Sequence, residues 1–311
     1  MKKQHEKHKK GAVRKHLTLE EMERARRWVQ ESTLMDDATM MMAVEGDLEA
    51  ATAMLKPLLP EEDFTLKEVK VQFTIPPSQA DGRRVIFDAL ALDQNGNSFD
   101  IEVQKADKNF SVERMVYYAC SLVHANALKR KDDYEKFRRV VVVFFCDGDF
   151  LSTKVPVSRI VPGLTADDQI TETYEDMMLI LIANIQSGEA NGELAKLYDD
   201  MKQANPGKMN ASALANALGR VKNKDMDEIT LQWVIDHMSK DEYAKYKTDI
   251  AEAERRGEKK GEKKGAERML AKMLAQGLVS REAAISILGT DEAGLERLLA
   301  EYRSDLPEGE S

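Results

Sequence analysis

Apolar residues recur at three- and four-residue steps across residues 18–59: after Leu17 come Met22, Ala25 and Val29, then Leu34, Ala38, Met41, Val44, Leu48, Ala51 and Leu55. That is the spacing of a helix face, and Pro57 and Pro60 end the run. The period then drops to two. Val69, Val71 and Phe73 alternate as a half-buried strand closed by Pro76 and Pro77. Residues 84–93 and 98–105 alternate on either side of Gln94-Asn95-Gly96-Asn97, which predicts a β-hairpin. Residues 111–128 return to helical spacing, with Asn109 or Ser111 as cap and Val112, Met115, Val116, Ala119, Leu122 and Val123 as the apolar stripe. Residues 140–145 read as a buried strand that Asp147-Gly148-Asp149 turns away. The order is helix, three strands, helix, strand.

Beyond Pro162 the pattern predicts a further strand at 177–183, a helix at 192–202, and two or three helices with sparse apolar faces over 210–253. Gly257, Gly261 and Gly265 then recur every four residues in RRGEKKGEKKGAER. Each glycine weakens a helix by about 0.5–1 kcal/mol, so this stretch reads as a marginal helix or a linker. Ser280 and Thr290 are placed to cap two short helices separated by Gly289. The expected organisation is a disordered basic arm (1–17), a mixed α/β domain (18–190), a helical extension (191–253), a Gly/Lys/Glu-rich helix or linker (254–268), a small helical pair (269–304) and a disordered tail (305–311).

Composition narrows the function classes. At 311 residues, 42% hydrophobic, the chain has ample material for a core despite its 32% charged residues. No run of eighteen apolar residues exists to span a bilayer, and the basic N-terminus lacks the apolar segment of a secretory signal. Cys120 and Cys146 are too few for a disulfide framework or a thiolate metal site, so the expected setting is the reducing cytoplasm. The net charge is −9, but basic residues are clustered: seven Lys or Arg face one Glu in the first sixteen positions. That arm reads as a solubilising tail or as a phosphate-touching arm.

The hairpin carries the candidate chemistry. A two-residue loop at Asn95-Gly96 would place Asp88 opposite Val103 and aim its carboxylate among Phe99, Ile101 and Val103. A three-residue loop, Gln94-Asn95-Gly96 with glycine in the left-handed position, sets Asp88 opposite Glu102 instead. Val85, Phe87, Ala89, Ala91, Phe99, Ile101 and Val103 then form one apolar face, and Asp88, Asp100, Glu102 and Gln104 lie on the other beside Ile86, Leu90 and Leu92. Like charges meet across the strands with Cβ atoms about 5 Å apart. Two readings are open: a divalent cation held by oxygen ligands, or a solvated face whose carboxylates pair with Lys70, Arg83 or Arg84.

The stretch FDALALDQNGNSFDIEVQ, followed by ERMVYYACSLV and KDDYEKFRRVVVVFFCDGDF, resembles the recombination-promoting nuclease and transposase-like family of the PD-(D/E)XK nuclease superfamily. The matching positions are Asp88, Glu102 with Gln104, Arg114 with Tyr118, and Tyr134. The likeness covers roughly residues 31–190 and recurs in the glycine-every-four stretch and the final helical pair. It implies an α/β (α+β mixed) fold, a restriction-endonuclease-like core followed by a helical C-terminal region. It also implies a Mg²⁺-dependent (or Mn²⁺-dependent) DNA endonuclease in which Asp88, Glu102 and the Val103 carbonyl hold the metal. Gln104 stands where the superfamily usually has lysine and would orient water without supplying charge. A missing unit charge at about 4 Å costs up to about 4 kcal/mol at an effective dielectric near 20, approaching about a thousandfold in rate. Slow cleavage is therefore expected. Arg114 and Tyr118 share a helix face that points at the phosphate or metal, or else Arg114 pairs with a core carboxylate and Tyr118 packs inside. Where the family has Asp-x-x-Phe-Lys, this chain has Asp37-Ala38-Thr39-Met40-Met41. Asp37 is either a third acidic group on the rim or a helix N-terminal charge.

Phosphate contacts need basic residues beside the carboxylates, and Arg83, Arg84, Arg114 and the run Lys129, Arg130 and Lys131 with Lys136, Arg138 and Arg139 are the candidates. No spacing suggests base reading, so low sequence specificity is expected. The final helical pair has helix-turn-helix proportions, but Glu292, Glu296 and Glu301 suit a protein contact, such as a homo-oligomer, better than a groove. The expected function is slow, metal-dependent DNA cleavage linked to recombination or mobile elements, with DNA as partner and no membrane. The alternative is a non-cleaving DNA-binding or assembly protein that keeps the nuclease fold.

Overall fold

The computed structural model describes residues 16–75, 84–105, 110–126, 132–238, 240–276 and 278–302, in two compact units, 1–243 and 244–311. The first opens with three short helices, α1 (Leu19–Glu31), α2 (Asp37–Val44) and α3 (Leu48–Leu55), where the apolar period suggested one run. Local hydrogen bonding makes the breaks. The Asp36 carboxylate accepts from the Thr33 amide just before α2, and Gly46 turns at φ +67° before Asp47 caps α3. Thr18 and Glu21 form a capping box on α1.

The hairpin region forms β1 (Leu66–Ile75), β2 (Val85–Asp93) and β3 (Ser98–Gln104); α4 (Val112–Ala125) then leads to β4 (Val140–Cys146). Ser111 caps α4 by accepting from the Arg114 amide. Three short strands follow, β5 (Val157–Ile160), β6 (Gly163–Ala166) and β7 (Gln169–Thr173), before β8 (Met178–Asn184). The six-stranded sheet runs β1-β2-β3-β4-β8-β5, antiparallel at β1-β2-β3, parallel across β3-β4-β8 and antiparallel at the β5 edge. All seven residues of β4 are buried, as a central parallel strand covered on both faces requires. Val140, Val142, Phe144 and Cys146 pack with Met115, Ala119 and Leu122 of α4, while α2 and α3 lie against β1.

Helices α5 (Gly192–Lys202), α6 (Ser212–Asn223) and α7 (Glu228–Asp236) complete this unit, with α6 packed on α2 and α3, and α7 on α1. The glycine-every-four stretch lies inside α8 (Lys240–Ala275). In the second unit, Leu270, Ala284 and Leu295 form a small core joining the end of α8 to α9 (Arg281–Leu288) and α10 (Glu292–Glu301). Ser280 caps α9 as the sequence predicts, but Asp291, not Thr290, caps α10, accepting from the Gly294 amide.

Candidate active site at the split between two strands

The β2–β3 turn fixes the register. Gly96 has φ +82°, its amide donates to the Asp93 carbonyl (3.1 Å), and the Asp93 amide donates to the Asn97 carbonyl (3.1 Å). This is the three-residue loop with a left-handed glycine. The Asp93 carboxylate fastens it, accepting from the amides of Asn95 and Asn97, both at 2.8 Å. From there the pairs run Leu92–Ser98, Ala91–Phe99, Leu90–Asp100 and Ala89–Ile101. The next step in that register brings Asp88 to Glu102.

At that step the ladder stops and the side chains take over. The Asp88 amide donates to Glu102 Oε1 (3.0 Å), while the Val103 amide donates to the Asp88 carboxylate. Residues in an extended strand aim N–H and C=O to the same side, so the Val103 carbonyl also faces β2. A paired irregularity accompanies the split. On β1, Gln72 has φ +51°, and the β1–β2 ladder skips from Val71–Ala89 to Phe73–Phe87. Left-handed backbone at a non-glycine residue costs about 1–2 kcal/mol and collects at functional sites. The Gln72 side chain is tied to His237 Nε2 at the end of α7.

This irregularity overturns the two-faced hairpin expected from the alternation. Val85 and Phe87 sit with Leu90 in the cluster under α4, rather than with Ala89 and Ala91. Nor is the acidic stripe a solvated face: Asp100 and Glu102 are fully buried, and Asp88 is half-buried.

Arg114 reaches into this pocket from α4. Its Nη1 donates to Gln104 Oε1 (3.1 Å), and its Nη2 to Glu102 Oε2 (3.3 Å) and the Tyr118 hydroxyl (3.4 Å). Tyr118 packs edge-on against Phe87, with centroids 5.3 Å apart. Arg114 thus pairs with a core carboxylate while its side chain stays partly exposed, and Tyr118 is partly buried against the core.

A second charge cluster adjoins the first. Lys105 Nζ pairs with Asp36 and with Glu242 (2.7 Å). Asp37, the first residue of α2, feels Asp88, Glu242 and Asp36 as like charges and Lys105 as an opposite one. Asp37 therefore lies within electrostatic reach of Asp88 as well as in the first turn of α2. Lys105, Asp36 and Glu242 carry no motif signal. Lys105 and Glu242 are 137 positions apart, and only the fold joins them.

Electrostatics bind these carboxylates into one set. Burial pushes Asp88 up to about 6, opposed by the Val103 amide and Arg114. Burial, then the charges of Asp88 and Asp100, hold Glu102 well above the ordinary range. Asp37 is pushed up to about 7 by burial and then by Asp88, and Asp36 to about 6 by burial. Asp100 is raised by burial and then by Asp88, and neither of its oxygens has a hydrogen-bond partner. An orphaned buried polar group costs about 1–3 kcal/mol, so Asp100→Leu is expected to raise the melting temperature by several degrees. A calorimetric scan showing an unchanged or lower value would refute that reading of Asp100.

Among the described residues these crowded carboxylates outnumber their cations, Arg114 and Lys105, and such a set fits a hard divalent cation. Among the described residues, no three His, Cys, Asp or Glu side chains are grouped to enclose a metal. Two carboxylates, one carbonyl and water suit Mg²⁺, which keeps much of its hydration.

The remaining predicted residues divide. Arg84 is exposed at the start of β2; Arg83, Lys129, Arg130 and Lys131 lie outside the described residues, as do the basic arm up to residue 15 and the tail. Tyr134 is 89% exposed in a 3-10 turn. Arg139 is committed within the fold, pairing with Glu62 (2.5 Å) and donating to the Glu175 carbonyl.

No curated protein and no solved structure matches the chain significantly, and no described helix is long and apolar enough to cross a membrane. A family model, the PD-(D/E)XK nuclease family transposase, matches residues 39–250, which include Asp88, Glu102, Gln104, Arg114 and Tyr118. Nucleases of this superfamily generally use divalent metal ions and act on DNA. The mixed sheet, the carboxylates at its split and that match agree: the chain belongs to the PD-(D/E)XK nuclease family transposases.

Proposed function

We propose that this protein is a Mg²⁺- or Mn²⁺-dependent DNA endonuclease of low sequence specificity that serves recombination or a mobile element. The observation that supports this reading is the exchange of bonds at the strand split, where Glu102 accepts from the Asp88 amide and the Asp88 carboxylate accepts from the Val103 amide. Those bonds fix two acidic side chains at the same point of the β2–β3 split against their mutual repulsion. Asp88 and Glu102, with the Val103 carbonyl, would hold the cation. When bound, it polarises the scissile phosphate and lowers the pKa of the attacking water. Hydrolysis forms one P–O bond from water, breaks the bond to the leaving sugar oxygen, and transfers a proton to that oxygen. Asp37 extends the acidic rim beside Asp88. Arg84, exposed just before β2, would be a contact for the DNA backbone.

A second reading, a DNA-binding or assembly protein that does not cleave, is favoured by one observation. Glu102 is already paired with Arg114, and Gln104 brings no charge of its own. Incubating supercoiled plasmid with the full chain and Mg²⁺ or Mn²⁺ separates the two. Conversion to open circles that stops on adding EDTA is expected. Binding without nicking under either metal would select the second reading.

A further inference from the structure

We propose that Arg114 supplies the positive charge that meets the scissile phosphate, and that Gln104 positions Arg114 rather than orienting water. The inference deepens the nuclease reading and rests on it. Arg114 is fixed at both ends. Its amide donates to the Ser111 cap of α4 (3.2 Å), and its guanidinium lies over the Tyr118 ring (5.0 Å) and beside that of Phe144 (6.0 Å). Cation–π contacts of this kind hold the planar fork in place. The Gln104 carbonyl oxygen receives Nη1 (3.1 Å), and Glu102 receives Nη2 (3.3 Å).

The side chain remains 29% exposed, so a phosphate oxygen can reach it. A guanidinium suits that task, because its donors match phosphate geometry and it stays charged at any working pH. Its partly buried setting strengthens the attraction relative to bulk water. Among the described residues, the other cation beside these carboxylates, Lys105, is committed to Asp36 and Glu242.

The arrangement reverses the simplest expectation for Gln104→Lys. If charge were merely missing at position 104, adding it would accelerate cleavage. With Arg114 already there, a lysine would face a guanidinium and displace it. Gln104→Lys alone is therefore expected to slow nicking, yet to restore a protein that lacks Arg114.

The full chain is compared as wild type, Arg114→Gln, Arg114→Lys, Gln104→Lys and the double variant Arg114→Gln/Gln104→Lys. Two readouts are used: plasmid nicking in Mg²⁺, and fluorescence anisotropy of a labelled duplex in Ca²⁺, with melting curves to check folding. Arg114→Gln is expected to nick at least about 100-fold more slowly, with Arg114→Lys in between. The double variant should recover at least about tenfold over Arg114→Gln, a rescue that a purely structural Arg114 would not show. Wild-type nicking by Arg114→Gln, no rescue in the double variant, or faster nicking by Gln104→Lys alone would each overturn the proposal. Should wild type fail to nick with any metal, the nuclease reading falls and anisotropy decides the rest. Weaker binding by Arg114→Gln that Gln104→Lys restores supports Arg114 as the phosphate contact, and equal affinities refute it.

Discussion

Asp88→Asn and Glu102→Gln are each expected to reduce plasmid nicking at least about a thousandfold, equivalent to about 4 kcal/mol of transition-state stabilisation. These nearly isosteric changes remove one negative charge each and keep the shape of the strand split. Asp88 is the more informative position, because its carboxylate accepts one backbone bond, from Val103. An asparagine carbonyl can accept the same bond while binding a cation far less well. Glu102 also anchors the Asp88 amide and Arg114, so glutamine preserves more of its surroundings than alanine would. In the metal-free protein both variants should melt no lower than wild type, since each replaces a carboxylate whose ionised form is disfavoured by burial. Retained nicking by either folded variant would remove these two residues from the chemistry.

The metal-free protein is expected to lose about 2–4 kcal/mol of stability between pH 5 and pH 8, read as a fall of several degrees in melting temperature. The sign follows from proton counts. Asp88 and Asp36 titrate at about 6 and Asp37 at about 7 in the folded chain, and Glu102 and Asp100 are also raised. Their ordinary values lie near 4, so between the two ranges the folded state holds more protons than the unfolded state. Stability therefore falls as pH rises through that window. Divalent cation should recover part of the loss at pH 8 and little at pH 5, and Asp88→Asn should remove most of that recovery. A melting temperature that climbs from pH 5 to pH 8 without metal would contradict the electrostatic description of the pocket.

Much of the frame was legible in local pattern. The turn at Gln94-Asn95-Gly96 has one residue suited to a left-handed conformation, and placing Gly96 there sets the pairing that carries Asp88 to Glu102. The continuous apolar run of β4 was equally plain. The period of 18–59 was misleading, because three helices broken near Asp36 and at Gly46 keep nearly the same spacing as one. Strands β5 to β7 were invisible. They are four or five residues long, and β6 and β7 are fully exposed, so pairing rather than burial specifies them.

The largest surprise lies at Asp88 and Gln72. Glutamine has no preference for a left-handed backbone, and nothing in the β2 alternation marks a change of face between Phe87 and Leu90. Tertiary contacts impose that change, with α4 covering one stripe and His237 tying Gln72. For the same reason the solvated-face alternative for Asp100 and Glu102 fails, since both prove to be buried. Lys105 and Glu242 meet only because the end of the first unit folds back to β3, which no local signal encodes.

The central claim is that Asp88 and Glu102 together form a cation site, and crystals soaked in Mn²⁺ test it most directly through anomalous scattering. One peak in contact with both carboxylates and the Val103 carbonyl is expected. No peak at saturating Mn²⁺, or a peak held instead by Asp36, Asp37 and Glu242, would contradict it.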